Sequence, residues 1–284
     1  MPFIVPIDQA QKLFPEYSFV SPLTPSEQKA AFHVRDQQGN DLCLKIIAPN
    51  YDLGRLQREI IALQSLSHPN IVNLKEYTFS SKPGLQRHYI VEEFIDGHDL
   101  YDLLIPGQPW KIDTTALFFS QLFDGLNALN SNSLVHRDLK PKNIRVRTDN
   151  SPVIIDFGLA RHLSLSDLTR TSEGAAIGTP IYFAPEQFQG NKHDIDHRTD
   201  LYAVGTILFE ALIGHHPFHN QMTSYATLMD AVCNSEEYKG NPVFRGLPQQ
   251  WQLLINKLLE KQRAKRPLNA GQVAMIIRKL GGLQ

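Results

Sequence analysis

A chain of 284 residues, 42% hydrophobic and 20% charged, has enough apolar material to bury a large core, as one large domain or two small ones. Its 28 basic and 29 acidic residues leave a net charge of -1, so no overall positive field draws it to nucleic acid or to an acidic membrane surface. The only two cysteines, Cys43 and Cys233, lack metal-ligand spacing, Met1 to Phe14 lacks the stretches of a signal peptide, and no window reaches the roughly 20 apolar residues of a bilayer span, so the expectation is a soluble, cytoplasmic chain in a reducing compartment with no nucleic-acid or membrane partner.

From about Ser18 to Phe94 the pattern is short strands broken by one helix. Leu42 to Ile47 follows the turn Gln38-Gly39-Asn40, as the second strand of a hairpin should. Between Leu53 and Leu66, Leu56, Ile60 and Leu63 recur at i, i+4 and i+7, the spacing of an amphipathic helix that ends at His68-Pro69-Asn70. Ile71 to Leu74 and His88 to Phe94 read as further strands, and a hinge is expected near Ile95 to Gly97. Beyond it helical patterns dominate. Phe118, Leu122, Leu126 and Leu129 form one buried stripe, and Leu201 to Leu212 is apolar almost all round, the mark of a helix buried on every side. The basic run Lys261, Arg263, Lys265 and Arg266 reads as a solvated helix face rather than a nucleic-acid contact. His193, His197, His215, His216 and His219 fall on two loop-like stretches without a recognised ligand spacing, so a metal site is not expected there.

Three short motifs carry the chemistry. His136-Arg137-Asp138-Leu139-Lys140-Pro141-Lys142-Asn143 is followed thirteen residues after its asparagine by Asp156-Phe157-Gly158, and Ala184-Pro185-Glu186 lies downstream. Asp138 offers a carboxylate to accept a hydroxyl proton, while the amide of Asn143 and the carboxylate of Asp156 supply the hard oxygens that magnesium prefers. Lys45 stands among Leu44, Ile46 and Ile47, a costly place for an ammonium unless it meets an anion.

These motifs resemble the eukaryotic-type (Hanks-type) serine/threonine protein kinase family, over roughly residues 18 to 280, with details around Gly178 to Gln187 similar to bacterial members. The resemblance implies an α+β, bilobal kinase fold: a small N-lobe with an antiparallel sheet and one helix over residues 1–95, which binds nucleotide, and a larger, mainly helical C-lobe over residues 96–284. It implies an ATP-dependent transferase acting on a protein substrate with a Ser or Thr acceptor, with Mg2+ or alternatively Mn2+ as cofactor. Asp138 would be the catalytic base, Lys140 the cation that offsets charge on the transferring phosphate, and Lys45 the phosphate-positioning lysine held by Glu59. Asn143 and Asp156 would bind the metal, and Glu93 and Ile95 would meet the nucleotide at the hinge. Regulatory or structural roles would fall to Arg137, facing a phosphorylated residue among Ser164, Ser166, Thr169, Thr171 and Ser172; to Thr179, bonding back to Asp138 and Lys140; to Asp200, anchoring the base of a hydrophobic column containing His136, Phe157, Leu63 and Leu74; and to the ion pair Glu186–Arg266.

The chain departs from the family pattern where the G-x-G-x-x-G loop should fall. Leu23-Thr24-Pro25-Ser26-Glu27-Gln28 contains no glycine, although close approach of backbone to phosphate favours glycine. Cys43 stands where a small alanine is expected. Arg145 stands where a leucine floors the base, its stem expected against the base and its charge in water. Glu92, just before the hinge, is a buried carboxylate in need of a partner. These departures keep a second reading open: a catalytically weak, pseudokinase-like scaffold binding nucleotide or protein partners.

Overall fold

The computed structural model describes residues 2–78, 88–157, 161–162, 180–189, 195–221 and 223–283. Its small lobe opens with a short helix, α1 (Ile7–Leu13), followed by strands β1 (Ser18–Pro22), β2 (Lys29–Arg35) and β3 (Asp41–Ile47), helix α2 (Leu53–Gln64), and strands β4 (Leu74–Thr78) and β5 (Tyr89–Glu93). The five strands form one antiparallel sheet in the order β1-β2-β3-β5-β4. The turn at Gly39, with φ of 83°, a conformation glycine adopts without strain, fixes the β2–β3 register so that Ala31 lies opposite Lys45 and Lys29 opposite Ile47. Side chains two apart on a strand share a face, so Lys29 and Lys45 point to the same side of the sheet.

The large lobe begins with β6 (Gly97–Asp99) and α3 (Leu100–Leu103), then α4 (Ile112–Ser131), β7 (Leu134–Val135), β8 (Ile144–Arg147), β9 (Pro152–Ile154), β10 (Arg161–His162) and α5 (Pro185–Phe188). It closes with α6 (His197–Ile213), α7 (Tyr225–Asn234), α8 (Pro242–Gly246), α9 (Gln249–Leu258) and α10 (Ala270–Leu280). The stripe Phe118, Leu122, Leu126 and Leu129 of α4 is buried, as the spacing predicts. Helix α6 is buried nearly all round. Asp196 caps its first turn by accepting from the Arg198 amide, and Gly214 ends it in the left-handed conformation. No helix among the described residues is long and apolar enough to cross a membrane.

Three expectations are corrected. The strand expected at Ile71 to Leu74 starts only at Leu74. Ile71 instead bridges Ile154 in parallel, and Val72 donates to the Ile154 carbonyl at 3.0 Å, so this apolar run serves the large lobe. The small lobe has more than one helix: α1 and its flanks bury Val5, Ala10, Phe14 and Tyr17 against the sheet. The basic run is solvated only in part, with Lys265 exposed. Arg266 is buried, and the Lys261 ammonium donates to the Val232 carbonyl at 2.7 Å, where burial lowers its pKa to about 8. His216 is buried, with Nε2 at 2.8 Å from the Ile181 carbonyl, while His193 lies outside the described residues.

Candidate active site

The loop between β7 and β8 is bound into the large lobe at both ends. Asp200, buried on α6, accepts from the backbone amides of His136 at 2.7 Å and Arg137 at 2.9 Å. Those bonds offset part of the cost of burying a carboxylate, and burial still raises the Asp200 pKa. Arg137 and Asp156 both take positive φ, 70° and 60°, unusual for residues with a Cβ and a form of strain that gathers at functional sites. The Gln187 side chain donates to the Arg137 carbonyl at 2.9 Å and so ties α5 to this loop.

Asp138 lies in the middle of this frame. Its Oδ2 accepts from Lys140 Nζ at 2.7 Å and from Asn143 Nδ2 at 3.1 Å, while the same Nδ2 donates to the Asp138 carbonyl at 2.7 Å. With Nδ2 committed to Asp138, Oδ1 of Asn143 is the end left to face a hard cation. The Ile155 amide donates to the Asn143 carbonyl at 3.0 Å, and the His136 ring meets the Ile155 carbonyl at 3.1 Å. Asp138 and Asn143 are thus bonded directly, and Asp156 joins them as the residue after Ile155. The His136 and Phe157 rings lie 5.0 Å apart, tilted at 57° to one another, and both are fully buried. Gly158, Thr179 and the hydroxyls at Ser164, Ser166, Thr169, Thr171 and Ser172 lie outside the described residues.

The ion pairs of Lys45 and Glu59 differ from the expectation. Glu59 on α2 is paired not with Lys45 but with Lys29, at 2.6 Å, and Lys29 also reaches Asp156 Oδ1 at 3.2 Å. Burial works against the Lys29 charge, but Asp156 and Glu59 outweigh it and hold its pKa well above the ordinary lysine value. Lys29, in turn, is the main reason the Asp156 carboxyl is held far below the usual range. Lys45 meets Glu92 at 2.5 Å, the partner that this buried carboxylate needs. The reason is register: Glu92 lies opposite Cys43, so Glu92 and Lys45 are diagonal neighbours on one face, whereas Lys29 lies nearer the sheet end that α2 overhangs.

A cleft of about 340 Å3 opens between the lobes, lined by Leu23, Pro25, Cys43, Lys45, Glu92 and Ile155 among others. Burial raises the Cys43 thiol to about 11, so it is a protonated wall of the cleft. Arg145 does not keep its charge in water. Its guanidinium donates to Asp99 at 2.9 Å and to the carbonyls of Ile95 at 3.1 Å and Gly97 at 2.6 Å, bracing the hinge. Glu93 and Ile95 both line the cleft, and the Glu93 carboxylate is engaged by the Asn73 amide and by Arg147. A second hollow, of about 350 Å3, runs beside Asp138 and Lys140, walled by Tyr101, Pro141, Pro180 and Phe183.

Further from the chemistry, Arg266 forks onto both oxygens of Glu186 at 2.7 and 2.8 Å, and Thr199 donates to the same carboxylate at 2.7 Å. The sequence reading missed Lys29. The signal was available in the hairpin: counting back from Gly39 places Lys29 on the face of Lys45. Among the described residues no cluster of three or more His, Cys, Asp or Glu could hold a metal. One carboxylate and one amide oxygen from Asp156 and Asn143 fit magnesium, whose remaining positions water and phosphate oxygens would fill.

The family described as Protein kinase domain matches residues 30–275. The chain is 34% identical over 183 residues to a probable serine/threonine-protein kinase PknB of Lactococcus lactis, covering 62% of this chain and 28% of that protein. It is 31% identical over 234 residues to serine/threonine-protein kinase pkn2 of Myxococcus xanthus, covering 78% and 26%, and 34% identical over 164 residues to serine/threonine-protein kinase PknB of Mycobacterium tuberculosis, covering 58% and 26%. The chain spans little more than a quarter of the length of these relatives. A match that runs from the second sheet strand to the last helix, over the very frame that carries Asp138, Asn143 and Asp156, means that the chain belongs to the protein kinase domain family.

Proposed function

We propose that the chain is an ATP-dependent serine/threonine protein kinase. The observation that carries the reading is that hydrogen bonds join Asp138, Lys140 and Asn143 in one loop, and that Ile155, the neighbour of Asp156, is bonded to Asn143 and lines the interlobe cleft. In this mechanism Asp138 accepts the proton of a substrate hydroxyl as its oxygen attacks the γ-phosphorus. The bond to the β,γ-bridging oxygen breaks, ADP leaves with the electron pair, and Lys140 offsets the charge carried by the transferring group. Asn143 and Asp156 would hold the magnesium, which supplies charge neutralisation along the phosphates when bound. Glu93 and Ile95 would meet the base at the hinge, and the hollow beside Pro141 and Pro180 would seat the polypeptide around the acceptor.

The test is transfer of labelled phosphate from Mg-ATP to a generic protein and to the chain itself. Asp138→Asn should lower incorporation by about 10²- to 10⁴-fold while leaving nucleotide binding intact. Mapping should return phosphoserine and phosphothreonine, with residues 164–172 among the sites if the chain phosphorylates itself. A glycine-free loop and the engagement of Lys45 by Glu92 favour one rival, a nucleotide-binding scaffold. Equal background incorporation by the unmodified chain and Asp138→Asn, both binding nucleotide, is the outcome that selects it.

A further inference from the structure

Lys29 and Lys45 share one face of the small-lobe sheet: Lys45 lines the interlobe cleft, whereas Lys29 is buried and reaches Asp156 at 3.2 Å. Lys45 lies deep beside Cys43 and is bound to Glu92, whose side chain is 2% exposed and whose other carboxylate oxygen finds no hydrogen-bond partner among the described residues. Drawing Lys45 away to a phosphate would leave that carboxylate buried and uncompensated, a costly state. Lys29 is in the opposite situation. Its ammonium sits between Glu59 and Asp156, the carboxylate proposed above as a metal ligand, and is therefore aimed at the place where a triphosphate and its cation would meet.

The missing glycines fit the same picture. In the Leu23 to Gln28 loop, the amides of Gln28 and Lys29 are both spent on Ser26 Oγ, at 3.2 and 3.0 Å, and the Ser26 carbonyl accepts from the Phe3 amide at 2.8 Å. Backbone amides committed in this way, with Pro25 lacking one altogether, form a poor cradle for phosphate. The residue that follows the loop directly is Lys29. A cation delivered from the base of the loop stands in for the donors the loop itself lacks.

Resting on the kinase reading above, we infer that Lys29 is the phosphate-binding lysine of this chain, oriented by Glu59, and that Lys45 is held by Glu92 as a structural pair in the wall of the cleft.

The experiment uses the full chain and an acyl-phosphate derivative of ATP. In this probe the attacking lysine Nζ forms an amide with the acyl carbon, the carbon–oxygen bond to the terminal phosphate breaks, ATP leaves, and the nitrogen sheds a proton to water. Mass spectrometry should find the adduct on Lys29, suppressed by excess ATP. Lys29→Met should lower kcat by about 10²- to 10³-fold, the usual loss for one charge-stabilising donor, while the thermal shift given by adenosine is unchanged; a purely structural lysine would not separate these two readouts. If Lys29→Met does not fold, the adduct on the unmodified chain still decides. An ATP-suppressible adduct on Lys45 and not on Lys29, or full turnover by Lys29→Met, overturns the inference and leaves the kinase reading standing. No adduct on either lysine, together with no thermal shift by Mg-ATP, overturns both.

Discussion

Buried charge in this protein is neutralised locally, and the pairs are specific. Arg266 and Glu186 are both nearly inaccessible and joined by two parallel bonds, so removing either partner would strand a charge at a cost of about 3–5 kcal/mol. His216 follows another rule. It is buried with a carbonyl at Nε2 and the Phe218 amide at Nδ1, and burial lowers its pKa to about 3 from an ordinary 6.5. His219 and the Tyr182 ring are its neighbours, and neither is an anion that would support a proton. In the unfolded chain the same imidazole gains a proton below about pH 6.5, whereas the folded chain refuses one until about pH 3. The unfolded state therefore binds more protons across that window, and stability falls as pH falls through it. Between pH 7 and pH 5 the unmodified chain should lose about 2 kcal/mol more than His216→Gln, measured by urea unfolding at both pH values. Parallel pH slopes for the two chains would show that His216 titrates normally in the fold.

At the scale of elements, α1 and its flanks contribute to the sheet that carries both lysines. Phe14 is fully buried with its ring edge-on to Tyr89 at 4.9 Å, and Tyr17 and Tyr89 converge on Glu76. The same segment reaches the nucleotide loop through the Phe3 amide. Phe14→Ala should cost about 3–5 kcal/mol in urea unfolding and should raise amide exchange in residues 23–28 and in β1 while α6 is unaffected. A destabilisation spread evenly over both lobes would contradict that path. This segment was the least legible part of the small lobe, because seven residues of helix give too few turns for a period to emerge. Helices α4 and α6 were legible for the opposite reason: their apolar positions recur over several turns and bury on the predicted faces. The Ile71 run failed since a short apolar stretch looks the same whether it joins the upper sheet or the floor below it. The site itself divided in the same way. Asp138, Asn143 and Asp156 could be read from contiguous motifs, but which carboxylate holds which lysine depends on strand register, and the expected Lys45–Glu59 pair gave way to Lys29–Glu59 and Lys45–Glu92.

Over the whole molecule, the two lobes are joined by more than the hinge. Helix α2 turns Ala62 and Leu63 toward the core of the large lobe, Leu66 just past its end joins them, and the segment that follows is fastened to β9: the Asn70 side chain donates to the Pro152 carbonyl at 2.7 Å, and the Ile154 amide donates to the Asn70 carbonyl at 2.9 Å. Gly125 of α4 gives this segment room, since a Cβ there would stand 3.1 Å from the Asn70 carbonyl. Glu59, the partner of Lys29, rides on the same helix, so the position of the ion pair above the cleft depends on this anchor below it. Asn70→Ala keeps the backbone bonds and removes one side-chain donor, leaving the buried Pro152 carbonyl without that partner at a cost of about 1–3 kcal/mol. If the anchor positions α2, the loss should be uneven: amide protection in α2 falls while that of α6 and α9 holds, and Mg-ATP restores much of the difference by linking the lobes through the cleft. Equal loss of protection in α2 and α6 would instead mean that Asn70 stabilises the fold as a whole and sets no relation between the lobes.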